Sequence, residues 1–259
     1  MSDYYPEYYS HFRQFKSFFH SGVSILTYHK LGPRPVRVRL KGLYVSESLF
    51  KRQLNELRQS GLPLLNLDNL SDPAKQPNNG IIVTFDDGYE NVFKYGLKHL
   101  VDEKVTAIQF ILADQLGQAN FWDAVLGEAP ERLMSESQIR EWLAAGQMIG
   151  SHGLRHSMLS KLSAAEAREE IYASKAKLED LFGVEVSHFC YPYGDWSPAV
   201  MEYVSQAGYK TACTVEKGTN HPDTPRYGLK RFTVRYPTRS LKVYWRRISS
   251  WWRGEYKQF

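Results

Sequence analysis

Short β-branched runs alternate along the chain with longer segments of helical periodicity, and this alternation limits the folds available to it. Residues 81–85 (IIVTF) are continuously apolar, as in a strand that is buried on both faces. Comparable runs lie at residues 23–28, 105–112, 148–151, 186–191, 209–215 and 231–235. Strands separated by helices predict a parallel sheet, and about seven such units favour a closed or partly closed (β/α) barrel over an open sheet. We therefore expect an α/β fold.

Helix-start signals occur between these runs. Ser135 and Ser163 are each followed three residues later by Gln or Glu, which is the capping-box pattern. Ser197 precedes a proline, as in the first turn of many helices. Apolar residues recur at helical spacing in 46–60 and 90–101. The sequence thus predicts a helix after most of the predicted strands.

The bulk properties are those of a single globular body. At 259 residues the chain is long enough for one barrel, and no linker divides it. We expect an N-terminal extension at residues 1–22, the barrel at 23–238 and a basic C-terminal segment at 239–259. Two cysteines are too few for a disulfide framework. The sequence shows neither a secretion signal nor a run of about 18 apolar residues, so we expect a cytoplasmic location.

The net charge of +5 is concentrated near the C-terminus, where residues 226–259 hold ten lysines and arginines and one acid, Glu255. Residues 241–253 place tryptophans and aliphatic side chains on one helical face and cations on the other, which predicts an amphipathic C-terminal helix. Such a helix can lie on an anionic membrane surface or pack on the barrel through its tryptophans. No nucleic-acid-binding module is visible, and we expect no nucleic-acid partner.

Two adjacent carboxylates follow the apolar run at 81–85. Asp86 and Asp87 stand at the C-terminal end of that predicted strand, where reactive groups collect in parallel α/β folds. Neighbouring carboxylates repel each other when both are ionised. A cation removes this repulsion, since one carboxylate then acts as a ligand while the other stays free as a base. The alternative is a simple turn or helix cap, because Asp-Gly, here Asp87-Gly88, is a common turn dipeptide.

Two histidines, His152 and His156, follow another predicted strand. Their four-residue separation places both imidazoles on one side of a helix or tight loop, within reach of one metal ion. Taken alone, such a pair is more often a surface feature. Combined with Asp87, it makes a set of two histidines and one carboxylate that leaves positions open for water and substrate. We therefore expect a divalent metal at this position.

Three segments together resemble the motifs of the NodB-type polysaccharide deacetylases, carbohydrate esterase family 4. Residues 84–88 (TFDDG) resemble the first motif, 151–156 (SHGLRH) the second and 191–194 (YPYG) the third. The resemblance spans roughly residues 23–234. It implies a distorted (β/α) barrel and metal-assisted hydrolysis of the N-acetyl groups of an N-acetylated glycan or glycolipid.

The resemblance also implies roles for individual residues. The metal, usually zinc in this family, is held by three side chains, Asp87, His152 and His156. Asp86 acts as general base on a water activated by the metal, since a divalent cation lowers the pKa of water and polarises the amide carbonyl. Tyr191, Pro192 and Tyr193 form a substrate-binding turn, in which the backbone N–H of Tyr193 stabilises the tetrahedral oxyanion.

Two of the family's features are missing. Cys190 stands where an arginine normally braces the catalytic aspartate; we expect Arg231 to replace it, the alternative being a solvated arginine of the basic C-terminal region. The histidine that normally protonates the leaving amine is absent near Leu229. His29 is our candidate general acid, because Tyr28-His29 resembles the branch that deacetylates poly-N-acetylglucosamine. The alternative is a histidine that is hydrogen-bonded at the start of a loop.

These observations leave three functional hypotheses. The leading one is a metal-dependent hydrolase that removes N-acetyl groups from a polysaccharide or a lipid-linked glycan. A glycan-binding pseudoenzyme is one alternative, motivated by the missing arginine and histidine. Another metal-dependent hydrolase of non-peptide C–N bonds on the same scaffold is the second. Retention of the three predicted ligands and of Asp86 favours the leading hypothesis.

Overall fold

The computed structural model describes residues 8–36, 38–122 and 129–235 of the chain. A parallel sheet forms its centre, with the strands in the order β10–β1–β5–β6–β7–β8–β9 and the short β4 paired with β5. The strands of this sheet are β1 (Gly22–Tyr28), β4 (Leu64–Leu65), β5 (Asn79–Phe85), β6 (Ala107–Ile111), β7 (Met148–Ser151), β8 (His188–Cys190), β9 (Thr211–Cys213) and β10 (Phe232–Thr233). A separate pair is formed by β2 (Lys30–Leu31) and β3 (Tyr44–Val45).

Six α-helices of the described part of the chain pack around the sheet, and several of them start at the predicted caps. They are α1 (Phe12–Phe19), α2 (Glu47–Gln59), α3 (Glu90–Asp102), α4 (Glu136–Ala144), α5 (Ala164–Phe182) and α6 (Pro198–Gln206). The side chains of Ser135 and Ser163 complete capping boxes at α4 and α5, as predicted. Ser197 caps α6, and Pro198 occupies its first turn.

The sheet curls, so that its two faces have different partners. Its concave side encloses a small apolar cluster that includes Ile25, Ile82, Phe110, Cys190 and Cys213. The convex side packs against the helices through a larger cluster. Because alternate residues of a strand point to opposite faces, the central strands β1, β5 and β6 contribute to both clusters, and all of their residues except Asn79 are buried.

The curled sheet is partly closed. Cys213, at the end of β9, forms an isolated parallel bridge with Leu229, and the Thr214 N–H donates to the Leu229 carbonyl over 2.9 Å. Leu229 lies just before β10, which pairs with β1 at the other end of the strand order. The predicted α/β fold, a distorted barrel of about seven strands, is therefore confirmed.

The structure adds elements that the sequence patterns did not predict. Helix α1 buries Phe15 and Phe19 against the barrel, and Tyr9 bridges Val234 beside β10. Strands β2, β3 and β4 have two residues each, too few for a period of two to be recognised. The predicted C-terminal amphipathic helix at 239–259 lies outside the described residues. Within the part that is described, no helix is long and apolar enough to span a membrane.

Candidate active site

The predicted site residues meet at the C-terminal edge of the sheet. His29 directly follows β1, Asp86 and Asp87 follow β5, His152 follows β7, and the turn Pro192–Gly194 follows β8. Strands β1 and β5 run parallel over seven residue pairs that end at Tyr28 and Phe85, which places the residues after them side by side. The parallel arrangement thus brings together groups that are far apart in the sequence.

Asp87 faces both histidines of the second motif. Its Oδ1 lies 3.2 Å from His152 Nε2 and 3.3 Å from His156 Nε2, and all three side chains are buried. One potential ligand atom from each side chain lies within 4.8 Å of the others. The backbone is left-handed at Asp87 (φ 74°) and at His156 (φ 65°), which is unusual for side-chain-bearing residues and clusters at functional sites.

The electrostatics of this triad suit a cation. Burial opposes ionisation of Asp87, but hydrogen bonds from His152 and His156 outweigh it and hold the pKa of Asp87 well below its usual range. Burial also disfavours the charged form of His152, yet hydrogen bonds to Cys190 and Asp87 raise the pKa of His152 well above its usual value. His152 Nδ1 donates to the Cys190 carbonyl over 2.6 Å, which turns Nε2 towards Asp87. This donor set fits a divalent metal held by two imidazoles and one carboxylate.

Asp86 points to a different partner, Arg231. The guanidinium binds the carboxylate through two parallel hydrogen bonds, Nη1 to Oδ1 and Nη2 to Oδ2, each of 2.8 Å. Its N–H groups also reach acceptors inside the barrel, namely Thr214 O, Thr27 Oγ1, Thr84 Oγ1 and Cys190 Sγ. Arg231 is 1% exposed, so it is not a solvated member of the basic C-terminal region. The structure places it on Asp86, as the sequence analysis expected of the replacement arginine.

The pair Asp86–Arg231 fixes the charge of the carboxylate. Burial opposes the ionisation of Asp86, but the positive charge and hydrogen bonds of Arg231 outweigh it and lower the pKa of Asp86. Cys190 lies beside the pair, with Sγ 3.1 Å from Arg231 Nη2. Burial raises the pKa of the Cys190 thiol to about 11, so it stays protonated at neutral pH. Asp86 is therefore held in its ionised form by Arg231.

His29 lies on the other side of Asp86, with Nε2 3.9 Å from Asp86 Oδ2. Burial lowers the pKa of His29, and the nearby charges of Asp86 and Asp87 only partly offset it. Its Nδ1 is buried without a hydrogen-bond partner among the described residues. The alternative of a histidine tied down at the start of a loop is therefore not what the structure shows. The general-acid role of His29 remains a prediction.

The third motif forms a tight turn beside His156. Tyr193 has a left-handed backbone (φ 58°), and its ring, 42% exposed, contacts the His156 ring with 4.3 Å between centroids. Pro192 is buried next to it. Tyr191 is only 1% exposed, and its hydroxyl donates to the Tyr227 carbonyl over 2.9 Å. Of the three residues expected to bind substrate, Tyr193 is thus the one placed at the surface, whereas the Tyr191 side chain supports the turn from inside.

Trp122 is a site residue that the sequence analysis missed. Its ring stacks on the His156 imidazole, with 4.7 Å between centroids and an interplanar angle of 22°. The His156 imidazole thus contacts two aromatic rings, those of Trp122 and Tyr193. Trp122 lies in the loop after β6, a strand that contributes none of the three motifs, so no motif indicated it. An aromatic pair, Phe121-Trp122, after a predicted strand was the only sequence signal.

Comparisons with known proteins agree with this geometry. The family model described as polysaccharide deacetylase matches residues 74–212, more than half of the chain. The poly-β-1,6-N-acetyl-D-glucosamine N-deacetylase of Staphylococcus aureus (strain MSSA476) is 23% identical over 207 residues, which are 75% of this chain and 69% of that protein.

Solved structures show the same fold. IcaB from Ammonifex degensii is 25% identical and superimposes with a TM-score of 0.71, covering 89% of this chain and 97% of that one. The deacetylase PplD from Streptococcus pyogenes, in complex with acetate, is 18% identical with a TM-score of 0.71, covering 87% and 97%. The family match and the three motifs, assembled at one edge of the barrel, lead to one conclusion: the chain belongs to the polysaccharide deacetylase family, hydrolases that act on non-peptide carbon–nitrogen bonds.

Proposed function

We propose that this chain is a metal-dependent N-deacetylase of an N-acetylglucosamine polysaccharide or its lipid-linked precursor. The observation that carries the proposal is the different environment of the two adjacent carboxylates. Asp87 faces two imidazoles, whereas Asp86 faces a guanidinium and a third imidazole. This contrast supports a division in which Asp87 would hold a cation and Asp86 would accept a proton.

Asp87, His152 and His156 would hold the metal, for which zinc is our first choice because two nitrogen ligands and one carboxylate are typical of catalytic zinc sites. A bound divalent cation lowers the pKa of water and polarises the amide carbonyl. His152 is prepared for this role by its hydrogen bond to the Cys190 carbonyl, which sets its tautomer and orientation.

The chain's own groups carry the proton transfers. Asp86 accepts a proton from the water whose oxygen attacks the acetyl carbon, and Arg231 keeps Asp86 ionised and oriented for that step. The backbone N–H of Tyr193 stabilises the negative charge that develops on the carbonyl oxygen. His29 delivers a proton to the nitrogen as the C–N bond breaks, so that acetate and a free amine leave.

We infer the substrate class from the named activity of a relative and from the aromatic residues at the site. The S. aureus relative is named for poly-β-1,6-N-acetyl-D-glucosamine. Tyr28-His29 of this chain resembles the branch of the family that deacetylates poly-N-acetylglucosamine. Tyr193 and Trp122 flank His156 at the site, and aromatic rings suit the apolar faces of sugar rings. We therefore infer an N-acetylglucosamine unit within a polymer as the group that is deacetylated.

The pseudoenzyme alternative depended on the missing arginine and histidine. Arg231 and His29 both lie against Asp86, which supports turnover rather than binding alone. No observation among the described residues favours a different C–N hydrolase, such as one acting on a small cyclic amide.

The test is acetate release from two polymers. The zinc-loaded protein is incubated with oligomers of β-1,6-linked N-acetylglucosamine and with chitin oligomers, and acetate is quantified. We expect acetate from the wild type, with more from the β-1,6-linked oligomers, and release that is about 10²- to 10⁴-fold slower from Asp86→Asn. If neither polymer yields acetate while the metal is bound, the proposed activity is wrong. If Asp86→Asn releases acetate as fast as the wild type, Asp86 is not the base.

A further inference from the structure

Glu170 is the one buried carboxylate outside the reaction centre among the residues that the structure describes. It lies on α5 and is 4% exposed, about as buried as Asp86 and Asp87. A buried carboxylate is costly unless its charge is compensated by hydrogen bonds or cations. The compensation here comes from a single segment, the loop that links the two proposed histidine ligands.

The carboxylate of Glu170 binds the middle of that loop. Its Oε2 accepts the backbone N–H of Leu154 over 2.8 Å and that of Arg155 over 3.1 Å. Its Oε1 accepts the Ser157 hydroxyl over 3.2 Å and lies 3.6 Å from Arg155 Nη1. Two consecutive backbone N–H groups therefore converge on one oxygen, and both lie between His152 and His156 in the sequence.

The loop follows a path that the carboxylate stabilises. Gly153 has a φ of 82°, and a Cβ at that position would lie 3.1 Å from Glu170 Oε2, which shows how closely the backbone wraps around the carboxylate. At the far end of the loop, His156 has a left-handed backbone with a φ of 65°. Such a conformation persists only where surrounding contacts hold it. Without Glu170, the N–H groups of Leu154 and Arg155 would lose their shared acceptor.

We propose that Glu170 is a positioning residue of the metal site, which shapes residues 152–156 so that both imidazoles face Asp87. The inference rests on the proposed function, because it assigns Glu170 a role in metal binding. Outer partners of metal ligands typically contribute about 10-fold to 100-fold to metal affinity. Glu170 acts on the ligand loop itself and on two of its backbone groups, so its effect should fall in that range.

The experiment compares two neighbouring glutamates of α5. Glu170→Ala removes the loop's acceptor, whereas Glu169→Ala removes an exposed carboxylate from the same helix. Metal-free protein is titrated with Zn²⁺ by calorimetry, and the visible spectrum of the Co²⁺-loaded protein reports the ligand geometry. We expect Glu170→Ala to weaken Zn²⁺ binding by about 10-fold or more and to alter the Co²⁺ spectrum. Glu169→Ala should match the wild type in both.

A purely structural role would give a different result. In that case Glu170→Ala would lower the thermal unfolding midpoint of the metal-free protein, while its Zn²⁺ affinity and Co²⁺ spectrum stayed those of the wild type, and the proposal would be wrong. If Glu170→Ala does not fold, Glu170→Met decides. It fills a similar volume without an oxygen for the N–H groups of Leu154 and Arg155, and unchanged Zn²⁺ affinity in Glu170→Met then contradicts the proposal. A wild type that binds neither metal overturns the proposed function, and this inference with it.

Discussion

Asp86 and Asp87 are chemically identical neighbours that have different partners. The strand direction turns Asp86 towards the barrel interior and Arg231, while the left-handed backbone of Asp87 turns its carboxylate towards His152 and His156. Both carboxyl pKa values are lowered, but by different partners. The proposed division between base and ligand therefore coincides with a left-handed backbone at Asp87.

This division predicts separable defects. Asp86→Asn should keep Zn²⁺ affinity near that of the wild type and lower kcat by about 10²- to 10⁴-fold, the usual contribution of a general base. Asp87→Asn should lose Zn²⁺ affinity, because it removes a ligand. Acetate release and metal content, measured on the same preparations, check both. Loss of metal from Asp86→Asn would show that Asp86 is itself a ligand.

The buried pair Asp86–Arg231 should also matter for stability. Arg231→Met leaves Asp86 buried without its cation, and breaking a buried pair in this way costs about 3–5 kcal/mol of unfolding free energy. Adding Asp86→Leu should recover part of that loss, since no unpaired charge then remains. The exposed pair Arg58–Glu103, 3.0 Å apart, is the control, and Arg58→Met should cost about 1 kcal/mol or less. Chemical denaturation measures the unfolding free energy of all these variants. Equal losses of unfolding free energy in Arg231→Met and Arg58→Met would show that burial adds nothing to the importance of the Asp86–Arg231 pair.

The pH dependence of kcat/KM should show the ionisation of His29. A general acid must carry its proton, so activity is present below the pKa of His29 and is lost as pH rises through it. Burial lowers that pKa, and a bound dication would lower it further. We expect the alkaline limb of the kcat/KM profile to lie below about pH 6.5, the ordinary histidine value. His29→Gln should lower kcat and remove this limb, whereas His20→Gln, at an exposed position, should not. An unchanged limb in His29→Gln would exclude it as the acid.

At the scale of elements, the turn after β8 shows how the fold holds the third motif. Gly194 has a φ of 69°, and a Cβ there would overlap the Val215 side chain after β9. Gly183, at the end of α5, has a φ of 66° with no atom within 4 Å of such a Cβ. Alanine at Gly183 therefore tests the backbone torsion alone, and alanine at Gly194 tests the torsion and the close packing together.

We expect Gly183→Ala to lower the unfolding free energy by about 1 kcal/mol, the usual cost of a left-handed L-residue. Gly194→Ala should cost more and should also lower kcat/KM, because the turn carries Tyr193. Urea denaturation and acetate release measure the two effects. Equal stability losses, with full activity in Gly194→Ala, would mean that the turn adjusts freely and does not position the site.

The elements that the sequence predicted are those with local signals. Helices α4, α5 and α6 begin at serine caps, and β5 is a continuous apolar run. Helix α1 was not predicted, because its phenylalanines are ordered by packing against β1 and β10 rather than by a cap. The same distinction holds in the site. Asp87 and the two histidines could be found from spacing, but Trp122 and Glu170 act through tertiary contacts that carry no motif.

At the scale of the whole molecule, the curled sheet brings Arg231 into contact with Asp86, a pairing that the sequence only suggested. Arg231 and Asp86 are 145 positions apart, and they meet because β10 pairs with β1 and β1 pairs with β5. The position left by the missing family arginine is occupied by the small Cys190, which leaves room for the guanidinium of Arg231. Closure of the barrel thus brings Arg231, directly before β10, to the carboxylate of Asp86, and the third motif has no arginine for this contact.

In the proposed mechanism, acetate release depends on a cation held by Asp87, His152 and His156. The direct measurement is activity during stepwise return of Zn²⁺ to the chelator-stripped protein, with N-acetylglucosamine oligomers as substrate. We predict no acetate from the stripped protein, recovery that saturates at one Zn²⁺ per chain, and no recovery in His156→Ala at the same Zn²⁺ concentration. Full acetate release by the stripped wild type, or recovery of His156→Ala to the wild-type level, would contradict the account.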